Sequence, residues 1–232
     1  MNLKYIYHSS FLLELENAYF LFDYFKGQVP NIDNDKKLYV FVSHGHSDHY
    51  CEDIFMIFKD HANVQYILSN DIPYKKREVM DRIHYLDANK NYEIDSLKIN
   101  TYLSTDLGLA YMISYEGKTI YHAGDLNWWT WVGYETQDEF EDLTKKFKAE
   151  INKMEGRIID LAMIPLDPRQ GERFDWGMKY FIEKIRCKNV APMHCWDKFE
   201  VIDKFREKNS ELLTNINFID TSKIGKNGIE ID

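Results

Sequence analysis

His44-Gly45-His46-Ser47-Asp48-His49 places three imidazoles and a carboxylate within six consecutive residues. The stretch follows almost directly on Leu38-Tyr39-Val40-Phe41-Val42, an apolar run with the length and the β-branched or aromatic content of a buried strand. A strand that ends in a glycine-bearing loop holds the side chains of that loop rigidly and aims them at one point. Histidines two apart around Gly45 converge from a tight turn, and Asp48-His49 adds an N/O pair one step on. Imidazole with carboxylate suits zinc, iron or manganese better than calcium or magnesium. The chain has eight histidines in all, so three in one hexapeptide is not the scatter of a polar surface loop.

His44-x-His46-x-Asp48-His49 resembles the H-x-H-x-D-H signature of the metallo-β-lactamase fold superfamily, and other segments fit in the same chain order. His8-Ser9-Ser10-Phe11-Leu12-Leu13-Glu14, then Phe20-Leu21-Phe22-Asp23, is similar to its opening strands. Lys118-Thr119-Ile120-Tyr121-His122-Ala123-Gly124-Asp125 resembles its strand ending in Gly-Asp, and Val190-Ala191-Pro192-Met193-His194 the strand that delivers its last histidine. The resemblance covers nearly the whole chain and points to the stand-alone, lactonase-like hydrolases, which lack the inserted domain of the RNA-processing nucleases. It implies an α/β fold of αββα type: two mixed β-sheets packed face to face with helices outside, in a single domain over 1–232.

The resemblance also implies a dinuclear metal site. By position, His44 and His46 hold a first cation; Asp48, His49 and His194 hold a second; Asp125 bridges the two. Two divalent transition metals are expected, zinc foremost, with manganese or iron as alternatives. Such a pair drives a shared water to hydroxide near neutral pH and polarises the oxygen under attack. Asp48 is then the catalytic carboxylate that orients or deprotonates the attacking water. The expected reaction is hydrolysis of a small, anionic ester, lactone or phosphoester. The superfamily's redox branch carries a glutamate in place of the second histidine, whereas His46 is present here.

One departure stands out. The family's third histidine, some twenty residues before the Gly-Asp, has no counterpart in Tyr102-Leu103-Ser104-Thr105-Asp106-Leu107-Gly108. Asp106, Ser104 or Thr105 are the substitutes at hand, and His8 is a more distant one. The expectation is a tight second site and a labile first site. Two alternatives follow: a phosphodiesterase or nuclease of the same fold, and a catalytically weak metal-binding metabolite sensor.

At 232 residues the chain suits one domain with a sizeable core, and its 44% hydrophobic content is that of a globular protein. A formal charge of −9 disfavours nucleic acid or an anionic membrane as the main partner and leaves a small molecule. No apolar stretch reaches the roughly 18 residues of a membrane span, and the first residues lack a signal-peptide apolar region. Cys51, Cys187 and Cys195 are odd in number and without a C-x-x-C, which reads as reduced thiols in a cytoplasmic protein. Cys195 is expected to turn away from the site beside it. Nothing in the sequence speaks to oligomeric state.

Leu126-Asn127-Trp128-Trp129-Thr130-Trp131 follows Asp125, so its tryptophans either wall a substrate pocket, Trp128 first among them, or pack on the following helix. Arg169 is placed to receive a phosphate or carboxylate, or to pair with Asp167 or Glu172. Phe174-Asp175-Trp176-Gly177 and Trp196 are candidates for the rim. His122 is either an orienting partner of a ligand or a buried strand residue; His61 and His84 read as surface or strand positions.

Strands are expected at 4–7, 10–16, 18–23, 38–43, 64–69, 82–86, 97–103, 109–115, 118–123, 158–164, 189–194 and 215–219, in two similar halves. Helices are expected at 53–59, 135–155, 177–184 and 197–207. The second is the clearest: Phe140, Leu143, Phe147, Ile151 and Met154 form one stripe opposite a lysine-rich face read as solvated, and Gly156 stops it.

Overall fold

The computed structural model describes residues 1–73 and 81–232. Two seven-stranded sheets form the body. The first is built from β1 (Asn2–Tyr7), β2 (Ser10–Glu14), β3 (Ala18–Phe22), β4 (Lys37–Val42), β5 (Val64–Ser69) and β6 (Ile83–Leu86), with β14 (Ile229–Glu230) on the edge beside β1. The second runs β7 (Asn91–Ile94), β8 (Leu97–Leu103), β9 (Leu109–Tyr115), β10 (Lys118–His122), β11 (Ile158–Pro165), β12 (Arg186–Met193) and β13 (Asn217–Phe218). Each sheet is antiparallel where it begins, β1–β3 and β7–β10, and parallel thereafter. The two halves therefore repeat one plan.

Alternation along β3 and β4 explains the layering. Phe20, Phe22, Tyr39 and Phe41 face the second sheet and pack with Tyr111, Ile113 and Ile120 in the main core. Tyr19, Leu21, Leu38, Val40 and Val42 point the other way, against Ile54 and Phe55 of α1 (Asp53–Ile57). Both faces are covered, so these parallel strands are apolar throughout. On the second sheet Ile120 and His122 face inward, His122 stacking on Phe22 at 5.0 Å, while Tyr121 faces outward onto Phe181 of α3 (Trp176–Lys184) at 4.9 Å. Helices α2 (Gln137–Asn152) and α4 (Glu200–Lys208) contribute Phe147, Ile151, Val201, Ile202 and Phe205 to the same core. This is the αββα sandwich expected from the sequence.

Helix α2 begins on a capping box: Thr136 accepts from the Glu139 N–H, and the Glu139 side chain accepts from the Thr136 N–H. Gly156 lies beyond its end at φ +83°, a conformation glycine adopts without penalty. The stripe Phe147, Ile151 and Met154 is buried, with Phe140 and Leu143 half-buried. The lysine face is not purely solvated, because Lys148 lies over the Trp128 ring at 4.4 Å.

Four features depart from the sequence reading. Strands β7 and β14 were not expected: β7 forms because Asp95 adopts φ +53° and turns the chain onto β8, and β14 is two residues held by β1. Short 3-10 turns occupy Pro168–Arg173, Ser210–Leu213 and Thr221–Lys223. His61 is buried rather than at the surface, under the 58–61 turn. Among the described residues, no helix is long and apolar enough to cross a membrane.

Candidate metal centre

Several strands end at one edge of the sandwich, and the residues just after them carry titratable side chains. The chain leaves β1 at His8, β3 at Asp23, β4 at Ser43-His44, β10 at Ala123-Gly124-Asp125 and β12 at His194. Sites at the carboxyl ends of strands are the rule in parallel sheets. The two sheets are tied here by Tyr111 Oη donating to the Val42 carbonyl at 2.8 Å and by Leu109 N–H donating to the Ser43 carbonyl at 2.9 Å. The approach is close enough that a Cβ on Gly124 would lie 2.6 Å from both the Leu109 carbonyl oxygen and Ser43 Cβ.

The predicted residues gather into two adjoining groups. His44, His46, Asp106 and Asp125 form one; His8, Asp48, His49 and His194 form the other. In the first, His44 Nε2 lies 3.1 Å from His46 Nδ1 and 3.6 Å from Asp125 Oδ2, and His46 Nδ1 lies 3.7 Å from Asp106 Oδ2. In the second, His8 Nε2 lies 3.7 Å from Asp48 Oδ2. The other carboxylate oxygen of Asp125, Oδ1, faces that group, 3.2 Å from His49 Nε2 and 3.5 Å from His194 Nε2. Asp125 thus addresses both groups with different oxygens.

The donor set fits transition-metal cations. Tetrahedral ligands at 2.0–2.1 Å from an ion stand roughly 3.3–3.4 Å from one another, and the 3.1–3.7 Å separations bracket that edge. His8 Nε2, His49 Nε2 and Asp125 Oδ1 are buried with no hydrogen-bond partner. Each such orphan costs about 1–3 kcal/mol when left unsatisfied. A cation satisfies all of them.

The outward-facing atoms fix the ring orientations. Ser43 Oγ donates its single proton to Asp23 Oδ2 at 2.6 Å, so at 2.9 Å it accepts from His44 Nδ1–H and leaves His44 Nε2 bare toward the site. His49 Nδ1–H donates to Asp23 Oδ2 at 2.7 Å, and His194 Nδ1–H to Asp167 Oδ2 at 3.0 Å. His46 alone turns Nδ1 inward. Carboxylate–histidine pairs of this kind set the tautomer and raise ligand basicity.

Electrostatics follow from this packing. Burial pushes the Asp125 carboxyl up, but His49, His194 and His44 together overrule it and hold it well below the usual carboxylate range. Burial opposes charge on His49, yet Asp125 and Asp23 raise its imidazole to about 10. His8, desolvated and beside His194 and His49, is pushed down to about 3.

A cavity of about 610 Å³ opens above both groups. Its walls include Trp129, Trp131, Trp196 and Arg169, and its outer rim Tyr134, Glu139 and Asp142. Trp129 and Trp131 lie parallel with centroids 6.1 Å apart, and Trp129 Nε1 donates to the Asp125 carbonyl at 2.9 Å, anchoring that backbone. Arg169 pairs with Asp167 through Nε at 2.9 Å and lies over the Trp196 ring at 4.4 Å. Of the two sequence readings, the ion pair with Asp167 is formed, and the same side chain lines the cavity.

Three expectations are corrected. Trp128 turns away from the cavity: its Nε1 donates to Thr144 Oγ1 at 2.9 Å and its ring stacks on Phe147, because α2 and α3 offer it an aromatic cleft. Trp176 fills the same cleft, 5.3 Å from Trp128, rather than forming the rim. His8 lies beside His194 and Asp48, not with His44 and His46; of the substitutes named for the missing histidine, Asp106 is the one grouped with His44, His46 and Asp125. Cys195 turns away as expected, its thiol against the Met193 carbonyl. The orienting roles of Asp23 and Asp167 went unread, although Phe22-Asp23 at a strand end is the same signal as Gly124-Asp125.

Comparison with known proteins agrees with this fold. Residues 2–130 match the family model described as Beta-lactamase superfamily domain. The UPF0173 metal-dependent hydrolase of Nanoarchaeum equitans is 29% identical over 236 residues, spanning 92% of this chain and 95% of that protein. A UPF0173 metal-dependent hydrolase of Desulforamulus reducens is 25% identical over 213 residues, 84% of each. Among solved structures, Igni18, a metallo hydrolase from the archaeon Ignicoccus hospitalis, superposes with a TM-score of 0.63 at 17% identity over 98% of this chain and 96% of that one. The metallo-beta-lactamase fold protein YhfI of Bacillus subtilis gives 0.55 at 15% identity, covering 98% and 96%. The matched span runs from β1 past the Gly124-Asp125 turn, and over it the chain belongs to the beta-lactamase superfamily.

Proposed function

We propose that the protein is a metal-dependent hydrolase of a small ester, lactone or phosphoester, with two transition-metal cations, zinc foremost, held by His44, His46, Asp106 and Asp125 and by Asp48, His49 and His194. The observation that carries this reading is the pair of donor groups that share Asp125 at the floor of an aromatic-walled cavity. When bound, such cations lower the pKa of water and polarise an ester or phosphoester oxygen. The chain supplies the rest. Asp48, half-buried at the cavity floor, is the carboxylate best placed to take a proton from attacking water. Trp129, Trp131 and Trp196 exclude solvent and seat an apolar part of the substrate. The edge of Arg169 not engaged by Asp167 is available to one anionic group, consistent with an anionic substrate of low charge; the acidic outer rim and net charge of −9 weigh against nucleic acid.

The test is a panel of chromogenic esters, lactones and phosphodiesters assayed with purified protein and zinc, manganese or iron. Turnover that disappears in Asp125→Ala and His49→Ala supports the hydrolase. The half exposure of His46 and Asp106 favours a second reading, a metal-dependent metabolite sensor. Tight ligand binding with no turnover on any metal would select it.

A further inference from the structure

We infer that His8 is a fourth protein donor to the cation site of Asp48, His49 and His194, so that this site is closed by protein while the site of His44, His46 and Asp106 keeps the exchangeable position. The inference deepens the hydrolase reading and rests on its premise that the chain binds transition metals.

Four observations converge on His8. The ring is buried, 4% exposed, and its Nε2 has no hydrogen-bond partner. It is clamped among other site rings, with centroids 4.2 Å from His194 and 5.7 Å from His49, and Trp196 closes over it at 4.6 Å. Its backbone sits at φ +54°, left-handed for a non-glycine residue, a conformation that costs energy and persists only where surroundings demand it. The His194 N–H donates to the His8 carbonyl at 3.3 Å, locking the two histidines together across the sheets.

The contact with Asp48 discriminates between roles. A buried structural histidine beside a carboxylate forms a hydrogen bond near 2.8 Å or so. His8 Nε2 stands 3.7 Å from Asp48 Oδ2, beyond hydrogen-bonding distance and close to the edge of a coordination polyhedron. Three imidazole nitrogens and a carboxylate oxygen make a full tetrahedral set for zinc. Asp125 Oδ1 faces the same group and would be a further donor if the site expanded to five ligands. In the other group the side chains of His46 and Asp106 are 48% and 49% exposed, so solvent reaches its donors. Closed sites retain metal; sites with solvent-facing donors exchange it.

Metal-free wild type, His8→Ala, His8→Gln and Asp106→Ala are titrated with Co2+ and Zn2+ against a competing chelator, with visible absorption of the cobalt forms as a second readout. Wild type should bind two equivalents, one tightly and one weakly. His8→Ala and His8→Gln should weaken the tight equivalent by at least about 100-fold and change its cobalt spectrum, whereas Asp106→Ala should weaken only the other. Unaltered tight binding in both His8 variants overturns the inference and leaves the hydrolase reading standing; failure of wild type to bind Co2+ or Zn2+ ends that reading itself. Should the variants not fold, the same question is put to wild type by imidazole 15N NMR. The His8 Nε2 resonance should move with the first equivalent of zinc, and a resonance that stays in place overturns the assignment.

Discussion

Asp23 Oδ2 accepts hydrogen bonds from two directions at once, from Ser43 Oγ at 2.6 Å and from His49 Nδ1 at 2.7 Å, and so sets two site histidines with one carboxylate. His49 is held directly. His44 is held through Ser43, whose hydroxyl can accept from His44 Nδ1–H only because its own proton is committed to Asp23. A third bond, Ser43 N–H to Asp23 Oδ1 at 2.7 Å, fixes the backbone where β4 enters the histidine loop.

Asp23→Asn keeps the shape and removes the charge. An amide at that position turns its N–H either toward His49 Nδ1 and Ser43 Oγ or toward the Ser43 N–H, so a site imidazole or the backbone entering the histidine loop loses its support. Metal affinity should fall by roughly 10–100-fold, the usual effect of losing an outer partner of a ligand. A chelator-competition titration reads this directly, and equal affinities in the two proteins would remove Asp23 from the argument.

Arg169 offers a test of whether substrate binding separates from chemistry. Its guanidinium lies against Asp167, which in turn holds His194, and it also forms part of the cavity wall. Arg169→Ala should raise KM for anionic substrates by about tenfold or more and leave KM for neutral esters nearly unchanged. Equal changes for both classes would mean that the side chain acts on the metal centre through Asp167 and not on the substrate.

Much of this site was legible because its chemistry is local. The hexapeptide follows an apolar strand, and Gly124-Asp125 and Met193-His194 follow two more, so strand ends alone bring them to one edge. Choices among neighbours were not legible. Of Ser104, Thr105 and Asp106, the loop itself decides: Ser104 Oγ accepts from the Asp106 N–H and Thr105 Oγ1 donates to the Asn127 carbonyl, so Asp106 is left to meet His46. Three tryptophans in four residues likewise carry no local mark of which one faces the cavity. That depends on where α2 and α3 leave an aromatic cleft. His8 joins its group through contacts across the two sheets, which no periodicity reports, and β14 exists only because β1 pairs with it.

Acid should destabilise the metal-free protein in two separate windows. Burial lowers the His8, His44 and His122 imidazoles, His8 to about 3. Unfolded histidine titrates near about 6.5, so below that pH the unfolded chain binds more protons, and the stability these residues contribute above it is lost as pH falls. Asp23, Asp125 and Asp167 are held below their ordinary range by the surrounding histidines, against the effect of burial. Their contribution is lost only at pH values below about 4. Denaturation midpoints of chelator-stripped protein should therefore already fall between pH 6.5 and 4.5. His8→Phe, which cannot titrate, should flatten that limb. A limb equally steep in the variant would assign the effect to other groups.

Gly124 and Gly108 test whether the two sheets must approach as closely as they do. Gly124 sits at φ +50° and Gly108 at φ +72°, and a Cβ on either would press into Ser43, at its side chain or its carbonyl. Alanine therefore meets two penalties: a left-handed backbone, worth about 1–3 kcal/mol, and a steric conflict that only movement of the β4 end relieves. Gly133, also left-handed at φ +81° but with open space around its Cβ position, is the control for the first penalty alone. Gly133→Ala should cost about 1 kcal/mol in urea unfolding. Gly124→Ala and Gly108→Ala should cost several-fold more and also weaken metal binding, because Ser43 positions His44. If all three substitutions cost the same, the close approach contributes nothing of its own and the histidine loop is held by its hydrogen bonds to Asp23.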